Sequence, residues 1–237
     1  MTKLGIIGAM RVEVETLVQE MENVTITRRA GSDYCEGTLQ GLPVVVVQCG
    51  VGKVNAAICA QILCSCYEVT HLVNTGIAGS LCADLDIGDL VISVDAMYND
   101  FSVDPFGYPF GKVPGMDVVA FPADETLIGY AFRAAEAVNF GHTRTGRVAT
   151  GDRFVADKDV KAEIIAKTNA ICVEMEGAAI AQTAYRNGIP FVILRAVSDK
   201  ADDSADMDYP TFEAIAAHRC AEVTRKLAVQ LWQEENG

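Results

Sequence analysis

Several acidic side chains stand just after apolar segments of the sequence, where a carboxyl group could perform acid–base chemistry. They are Glu13, shortly after Leu4–Ile7; Glu174 and Glu176, after Ala170–Val173; and Asp199, after Phe191–Val197. A carboxyl group beside a buried apolar strand has a raised pKa and can exchange protons near neutral pH. Taken singly, each is more typical of a cap: Asp199 of a turn, Glu174 of the helix that comes after it. Because several of them would converge at one sheet edge, we interpret them as a candidate acid–base centre.

Other common ligand-binding motifs are incomplete or absent in this sequence. Gly52-Lys53 invites comparison with a phosphate-binding loop, but Val47 and Val54 stand where that motif requires glycine and serine or threonine. No Gly-x-Gly-x-x-Gly opens a helix after the first apolar run, and no serine lies in Gly-x-Ser-x-Gly. The histidines are dispersed, and the cysteines lack the spacing of zinc ligands. The sequence therefore predicts neither a metal nor a nicotinamide cofactor.

The candidate carboxylates are positioned by an alternation of apolar strands and longer helices. The predicted strands are Leu4–Ile7, Val44–Val47, Leu72–Asn74, Leu90–Val94, Val148–Ala149, Ala170–Val173 and Phe191–Val197, with a hairpin of Thr25–Arg29 and Tyr34–Leu39. The predicted helices are Asn55–Cys66, Thr126–Val138, Asp159–Lys167, Gly177–Asn187 and Thr211–Gln233. This alternation predicts one α/β domain over residues 1–237, a three-layer α/β/α sandwich around a mixed, largely parallel central sheet. Such sheets bind ligands at the carboxyl ends of their strands.

Composition restricts the partners and the compartment. The net charge is −13 and the pI is about 4.6, and lysine and arginine are scattered rather than gathered in a stripe. We therefore expect neither nucleic acid nor an anionic membrane as a partner. No apolar run approaches about 18 residues and no secretory signal is recognisable, so we expect a cytoplasmic protein. The eight cysteines are then expected to be free thiols.

Six short motifs occur in an order that resembles a known family. They are Gly5-Ile6-Ile7-Gly8-Ala9-Met10-x-x-Glu13, Gly50-x-Gly52-Lys53, Gly76-x-Ala78-Gly79, Thr150-Gly151-Asp152-x-Phe154, Val173-Glu174-Met175-Glu176 and Ser198-Asp199. Together they resemble the bacterial 5′-methylthioadenosine/S-adenosylhomocysteine nucleosidases, whose superfamily also contains purine and uridine phosphorylases. The resemblance extends from Gly5 to about Phe212. It implies a nucleoside phosphorylase-like fold, an adenine thionucleoside as substrate and hydrolysis of its N-glycosidic bond.

The resemblance also implies a role for each site residue. Glu13 would activate the attacking water, Asp199 would protonate the purine at N7, and Glu176 would hold the ribose hydroxyls. Met175 would contact the sugar, Phe154 would stack on adenine, and the backbone of Val155 would bind the adenine edge. Arg195 and Ser198 would orient the water and Asp199. The substrate-binding set is completed by Met10, Val51 and Tyr209 around the 5′ substituent, and by Val173 and Ile77. Many relatives have serine at the position of Ile77, so a hydroxyl contact there is lost.

A long irregular segment, Asn99–Phe121, carries five aromatic side chains. Such a segment favours a buried interface over a solvated loop. The family resemblance implies a homodimer in which Phe106 and Pro114 close the 5′ pocket of the second subunit.

Three alternatives stay open at this stage. A phosphorylase of the same superfamily would need an arginine for phosphate, but Asn74 and Ile77 stand where the phosphorylase motif has arginine and serine. A nucleoside-binding protein without turnover would not need a poised acid, although fold alone does not exclude it. Within the nucleosidases, the sequence does not distinguish methylthioadenosine from aminofutalosine as the preferred substrate.

Overall fold

A computed structural model describes residues 2–236, and the side chains of residues 206, 207, 235 and 236 are outside that description. The strands are β1 Leu4–Gly8, β2 Glu22–Arg29, β3 Ser32–Leu39, β4 Leu42–Gln48, β5 His71–Ser80, β6 Leu90–Tyr98, β7 Phe121–Pro122, β8 Thr143–Thr150, β9 Cys172–Glu174 and β10 Phe191–Asp199. The helices are α1 Arg11–Glu20, α2 Lys53–Cys66, α3 Glu125–Ala137, α4 Lys158–Thr168, α5 Gly177–Asn187 and α6 Ala205–Asn236, and a 3₁₀ turn covers Asp104–Phe106.

The strands form one mixed, ten-stranded sheet. Its centre is parallel, in the order β4-β1-β5-β10, and the β2–β3 hairpin extends it antiparallel beyond β4. On the other side, β10 also pairs with β6, β6 with β8, β8 with β9, and β9 returns antiparallel to β5. These five strands therefore close a ring. The closure brings the end of β9 beside the carboxyl ends of β5 and β10.

Helices cover both faces of the sheet, which confirms the predicted three-layer architecture. On one face α1, α3 and α6 pack through Leu17, Leu127 and Leu227, and on the other α2 and α5 pack through Leu63 and Ile180. The apolar residues of α3 recur at helical spacing, so one stripe of that helix is buried while the other side faces water. Each strand of the parallel centre thus lies between two apolar helix layers.

Several elements that carry site residues differ from the sequence-based prediction: β10 extends to Asp199, α6 begins at Ala205 and so includes Tyr209, and α1 and β5 differ most. The helix α1 was not predicted, because only Glu13, Val14 and Leu17 of its ten residues are buried and its apolar period is weak. The strand β5 continues to Ser80, beyond its predicted end at Asn74. The glycines of this segment are typical of a turn, so the strand was predicted too short. At Gly76 a side chain would collide with Arg195 and Glu13, so glycine serves close packing there.

The eight cysteines are free thiols, as expected. Over residues 2–236, no helix has the length and hydropathy that crossing a bilayer requires.

Candidate active site

A cavity of about 400 Å³ opens where the carboxyl ends of β1, β5 and β10 meet the end of β9. Most residues that the sequence predicted for the site line it: Met10, Glu13, Val51, Ile77, Phe154, Val173, Met175, Glu176, Arg195, Ser198, Asp199 and Tyr209. Ala9, Ala78, Gly79 and Glu174 complete the lining. The cavity is therefore largely apolar, with a cluster of carboxylates and one guanidinium. No group of three or more His, Cys, Asp or Glu side chains within residues 2–236 is placed to hold a metal ion.

Glu13 is held by backbone N–H groups from two different strand ends. Its Oε2 accepts hydrogen bonds from the N–H groups of Ala9 at 2.6 Å and Met10 at 2.9 Å. Its Oε1 accepts one from the N–H of Ile77 at 3.2 Å. Burial raises the pKa of this carboxyl, opposed by the charge of Arg195 and by these hydrogen bonds. The fixed and desolvated carboxyl is thus suited to take a proton from a water molecule.

Arg195 is the electrostatic centre of the site and is only 1 % exposed. Its Nη2 donates to Asn74 Oδ1 at 2.7 Å and also to Glu174, and it lies 3.4 Å from Glu176 Oε2. Its Nη1 lies 3.9 Å from Glu13 Oε1. Burial is the largest single influence on the pKa of the guanidinium and lowers it. The charges of Glu174, Glu176 and Glu13 together outweigh burial and raise this pKa above its usual value. One permanent cation therefore balances a group of acidic side chains.

Glu174, the last residue of β9, and Glu176, two positions further, both line the cavity but make different contacts. Glu174 Oε2 accepts hydrogen bonds from the N–H groups of Glu176 at 3.1 Å and Gly177 at 2.7 Å, and Thr150 donates to its other oxygen. Glu174 thus caps the start of α5, close to the capping role considered from sequence. Glu176 accepts from the N–H of Gly52 at 2.8 Å. Burial, together with the smaller repulsion from Glu174, raises the pKa of Glu176 to about 7.

Asp199 combines a turn contact with a buried carboxyl. Its Oδ1 accepts from the N–H of Ala201 at 2.8 Å, and its Oδ2 accepts from Ser198 Oγ at 2.8 Å. Burial raises its pKa, while these two hydrogen bonds lower it and the charges of Asp208 and Asp202 raise it further. The capping interpretation and the acid–base interpretation are therefore both compatible with the geometry, since the turn fixes a carboxyl that burial keeps protonatable.

Apolar side chains form the outer part of the cavity. Tyr209 lies with its hydroxyl 3.3 Å from Met10 Sδ, and the ring of Phe154 packs edge-on against it at a centroid distance of 5.4 Å. Val51 completes this region and is about half exposed. An apolar substituent could lie here, whereas the carboxylates line the inner end.

Three residues predicted for the site do not line the cavity. Val155 is buried in a separate small cluster with Ala149 and Ile164, so only its backbone is left for the predicted contact. Phe106 is 80 % exposed and Pro114 is also exposed. Their predicted role was in a second subunit, and a single chain does not test it.

The sequence did not reveal two supports of the site. Asn74 is fully buried, and it joins β5 to β1 by donating to Ile7 O at 2.9 Å while accepting from Arg195. A lone amide within an apolar strand was the available signal, since a buried polar side chain needs partners. Gly52 belongs to one of the six motifs, but its hydrogen bond to Glu176 was not predicted because a backbone N–H leaves no side-chain signal in the sequence.

Comparisons with known proteins agree with this geometry. The family model described as the phosphorylase superfamily matches residues 3–228. The 5′-methylthioadenosine/S-adenosylhomocysteine nucleosidases of Halalkalibacterium halodurans and Chromohalobacter salexigens are 39 % and 38 % identical to this chain; each alignment covers 98 % of the chain, and 100 % and 98 % of the relative. The crystal structure of the Neisseria meningitidis nucleosidase in complex with methylthio-immucillin-A superposes with a TM-score of 0.94 at 37 % identity, over 97 % of this chain and 100 % of that one.

Proposed function

Because the chain belongs to the phosphorylase superfamily and, within it, to the 5′-methylthioadenosine/S-adenosylhomocysteine nucleosidases, we propose that it hydrolyses the N-glycosidic bond of these two thionucleosides. The products are adenine and the corresponding 5-thioribose. The activity belongs to one domain over residues 1–237 and is cytoplasmic. The same fold also serves phosphorolysis in this superfamily, so the site must decide between water and phosphate as nucleophile.

The contacts of Arg195 favour water over phosphate as the nucleophile. Among the residues that the structure describes, it is the one cation lining the cavity, and its side chain is almost fully buried against carboxylates and Asn74. A phosphate dianion needs cationic, preferably bidentate, partners. It would instead meet Glu13, Glu176 and Asp199 in a desolvated space. The site therefore repels the phosphorolytic nucleophile and admits neutral water.

The same carboxylates stabilise the charge that develops during hydrolysis. Cleavage builds positive charge on the ribose, in an oxocarbenium-like transition state. Glu13 takes the proton of the attacking water, and Glu176 binds the ribose hydroxyls with its remaining acceptor capacity. Both carboxyl groups have raised pKa values through burial, so their negative charge interacts strongly with a cation once they are ionised.

Asp199 acts on the leaving group. Departure of the base places negative charge on adenine, and protonation at N7 removes it. The raised pKa of Asp199 keeps a fraction of this carboxyl protonated at pH values where an exposed aspartic acid is ionised. Ser198 donates to the same carboxyl and fixes its orientation. Phe154 provides the face on which the adenine stacks.

The 5′ substituent lies in the apolar outer region, against Met10, Val51 and Tyr209. A second subunit completes this region with Phe106 and Pro114, which makes the functional unit a homodimer. Phe106 and the neighbouring Tyr108 are 80 % and 39 % exposed, so one segment presents aromatic surface of the kind that is enriched in interfaces, which supports this arrangement.

Adenine release in phosphate-free buffer tests the proposal. We expect turnover of methylthioadenosine and S-adenosylhomocysteine without phosphate, free thioribose rather than a sugar phosphate as product, and no acceleration when phosphate is added. A strict requirement for phosphate would establish phosphorolysis instead. Binding without turnover would establish a nucleoside-binding protein. Including adenosine and aminofutalosine in the panel defines the preferred substrate.

A further inference from the structure

We infer that Lys53, Asp100 and Asp152 form a positioning cluster, which fixes the carboxylate of Glu176 relative to the loop after β8. This loop carries Phe154 and is called the base-binding loop below. The inference rests on the function proposed above, in which Glu176 binds the ribose and Phe154 the base. The three side chains lie outside the cavity lining and have no role in the chemistry described so far. They connect three segments that are far apart in the sequence: the start of α2, the segment after β6 and the loop after β8.

The start of α2 has no local cap. Its N-cap is Gly52, which has no side chain, and its first turn contains no acidic residue. A helix N-terminus presents unpaired N–H groups and favours negative charge. Two carboxylates from distant segments supply it: Glu176 accepts from the N–H of Gly52 at 2.8 Å, and Asp152 accepts from the N–H of Lys53 at 2.9 Å. Adjacent backbone N–H groups thus hold a site carboxylate and a loop carboxylate together.

The side chain of Lys53 fixes the second of these contacts. Its Nζ lies 2.7 Å from both carboxylate oxygens of Asp100 and 3.5 Å from Asp152 Oδ2. Asp100 in turn accepts from the N–H of Asp152 at 2.9 Å. A lysine in the first turn of a helix opposes the helix dipole. Its placement here is therefore explained by the two aspartates and not by the stability of α2.

The geometry of Gly52 leaves little freedom for compensation. Its φ of +99° is a backbone conformation that residues with a side chain rarely adopt, and an added Cβ would lie 3.1 Å from Asp152 Oδ1. Asp152 is also only two residues before Phe154 in the base-binding loop. A shift of Asp152 therefore moves both the hydrogen bond that orients Glu176 and the ring that stacks on the base.

Lys53→Met tests the cluster, with Lys3→Met as its matched control. The Lys3 side chain is 25 % exposed against 23 % for Lys53, forms an ion pair with Glu36 at 2.5 Å, and lies 5.9 Å from the ring of Tyr67, as Lys53 lies 5.5 Å from that of Tyr98. Lys3 is not among the residues that line the cavity. We expect kcat/KM for methylthioadenosine to fall roughly 10- to 100-fold in Lys53→Met, since displacements near 1 Å have effects of that size. Lys3→Met should keep the wild-type value, and Lys53→Arg should recover part of the loss.

A double-mutant cycle separates positioning from general damage. In the Glu176→Gln background the loss caused by Lys53→Met should shrink, because the carboxylate that Gly52 orients has already been changed. If Lys53→Met does not fold, Asp100→Asn keeps the shape of the cluster and should lower kcat/KM in the same way. The inference is wrong if kcat/KM of the folded Lys53→Met or Asp100→Asn variant equals that of Lys3→Met. It is also wrong if Lys53→Met lowers kcat/KM as much in the Glu176→Gln background as in the wild-type protein. Wild-type protein that releases no adenine would instead refute the proposed function.

Discussion

Replacement of Asp199 by asparagine isolates proton delivery from every other contribution of this residue. In the wild-type site Oδ1 accepts from the N–H of Ala201, and Oδ2 accepts from Ser198 Oγ. Asparagine keeps the first contact through its amide oxygen. Its amide NH₂ can donate to the Ser198 hydroxyl, whose hydrogen then turns towards Ala78 O, 3.4 Å away. The turn and the packing therefore survive, but the purine no longer receives a proton.

The expected loss is in the chemical step. General acid catalysis contributes roughly 10²- to 10⁴-fold to a rate, or about 3–5 kcal/mol of barrier. Asparagine has nearly the same size as aspartic acid and keeps the contacts with Ala201 and Ser198 that orient this buried side chain. Substrate affinity should therefore change little. We therefore expect kcat of Asp199→Asn to fall by that factor at nearly constant Kd.

Adenine release over a range of pH, with Kd measured separately for an unreactive analogue, provides the assay. The active wild-type form carries the proton on Asp199, so kcat declines as pH rises through the raised pKa of this carboxyl. This decline should disappear in Asp199→Asn. If Asp199 merely caps a turn, asparagine caps nearly as well and activity persists. A folded variant that retains more than about a tenth of the wild-type kcat would refute the proton-donor role.

Four further predictions concern the remaining parts of the site. Glu176→Gln should weaken both binding and rate, as measured by KM and kcat, because charge-assisted hydrogen bonds to the ribose are lost. Since burial raises the pKa of Glu176 from 4.5 to about 7, the folded wild-type protein binds more protons than the unfolded chain between these values. Its contribution to stability is present below pH 4.5 and is lost as pH rises towards 7, so denaturation of Glu176→Gln should depend less on pH across that window. Adenosine should be a poorer substrate than methylthioadenosine by kcat/KM, because stranding its 5′-hydroxyl near Met10 and Tyr209 costs about 1–3 kcal/mol; equal values would contradict the apolar 5′ pocket. Sedimentation should find a dimer at assay concentrations, with Phe106→Ala weakening both association and turnover; a fully active monomer would refute the shared pocket.

The sequence determined the class of fold and the residue types of the site. Apolar runs such as Val44–Val47 and Phe191–Val197 are buried strands because alternation with helices buries both faces of a parallel sheet. The carboxylates after such runs were recognisable for the same reason, since parallel strands end at a common edge. Local hydrophobic period and the position of strand ends are encoded in short stretches of sequence, so these features could be predicted.

Only the tertiary structure decided how these side chains divide the work. Glu174 and Glu176 are two positions apart, yet one caps α5 and the other reaches the N–H of Gly52, far away in the sequence. Arg195 could have paired with a single carboxylate; the closure of the strand ring places it among several, which engage its guanidinium. Such contacts depend on long-range packing, and hydrophobic period carries no information about which distant polar groups become neighbours. The pKa values obey the same rule, because burial and partner charge are properties of the folded chain.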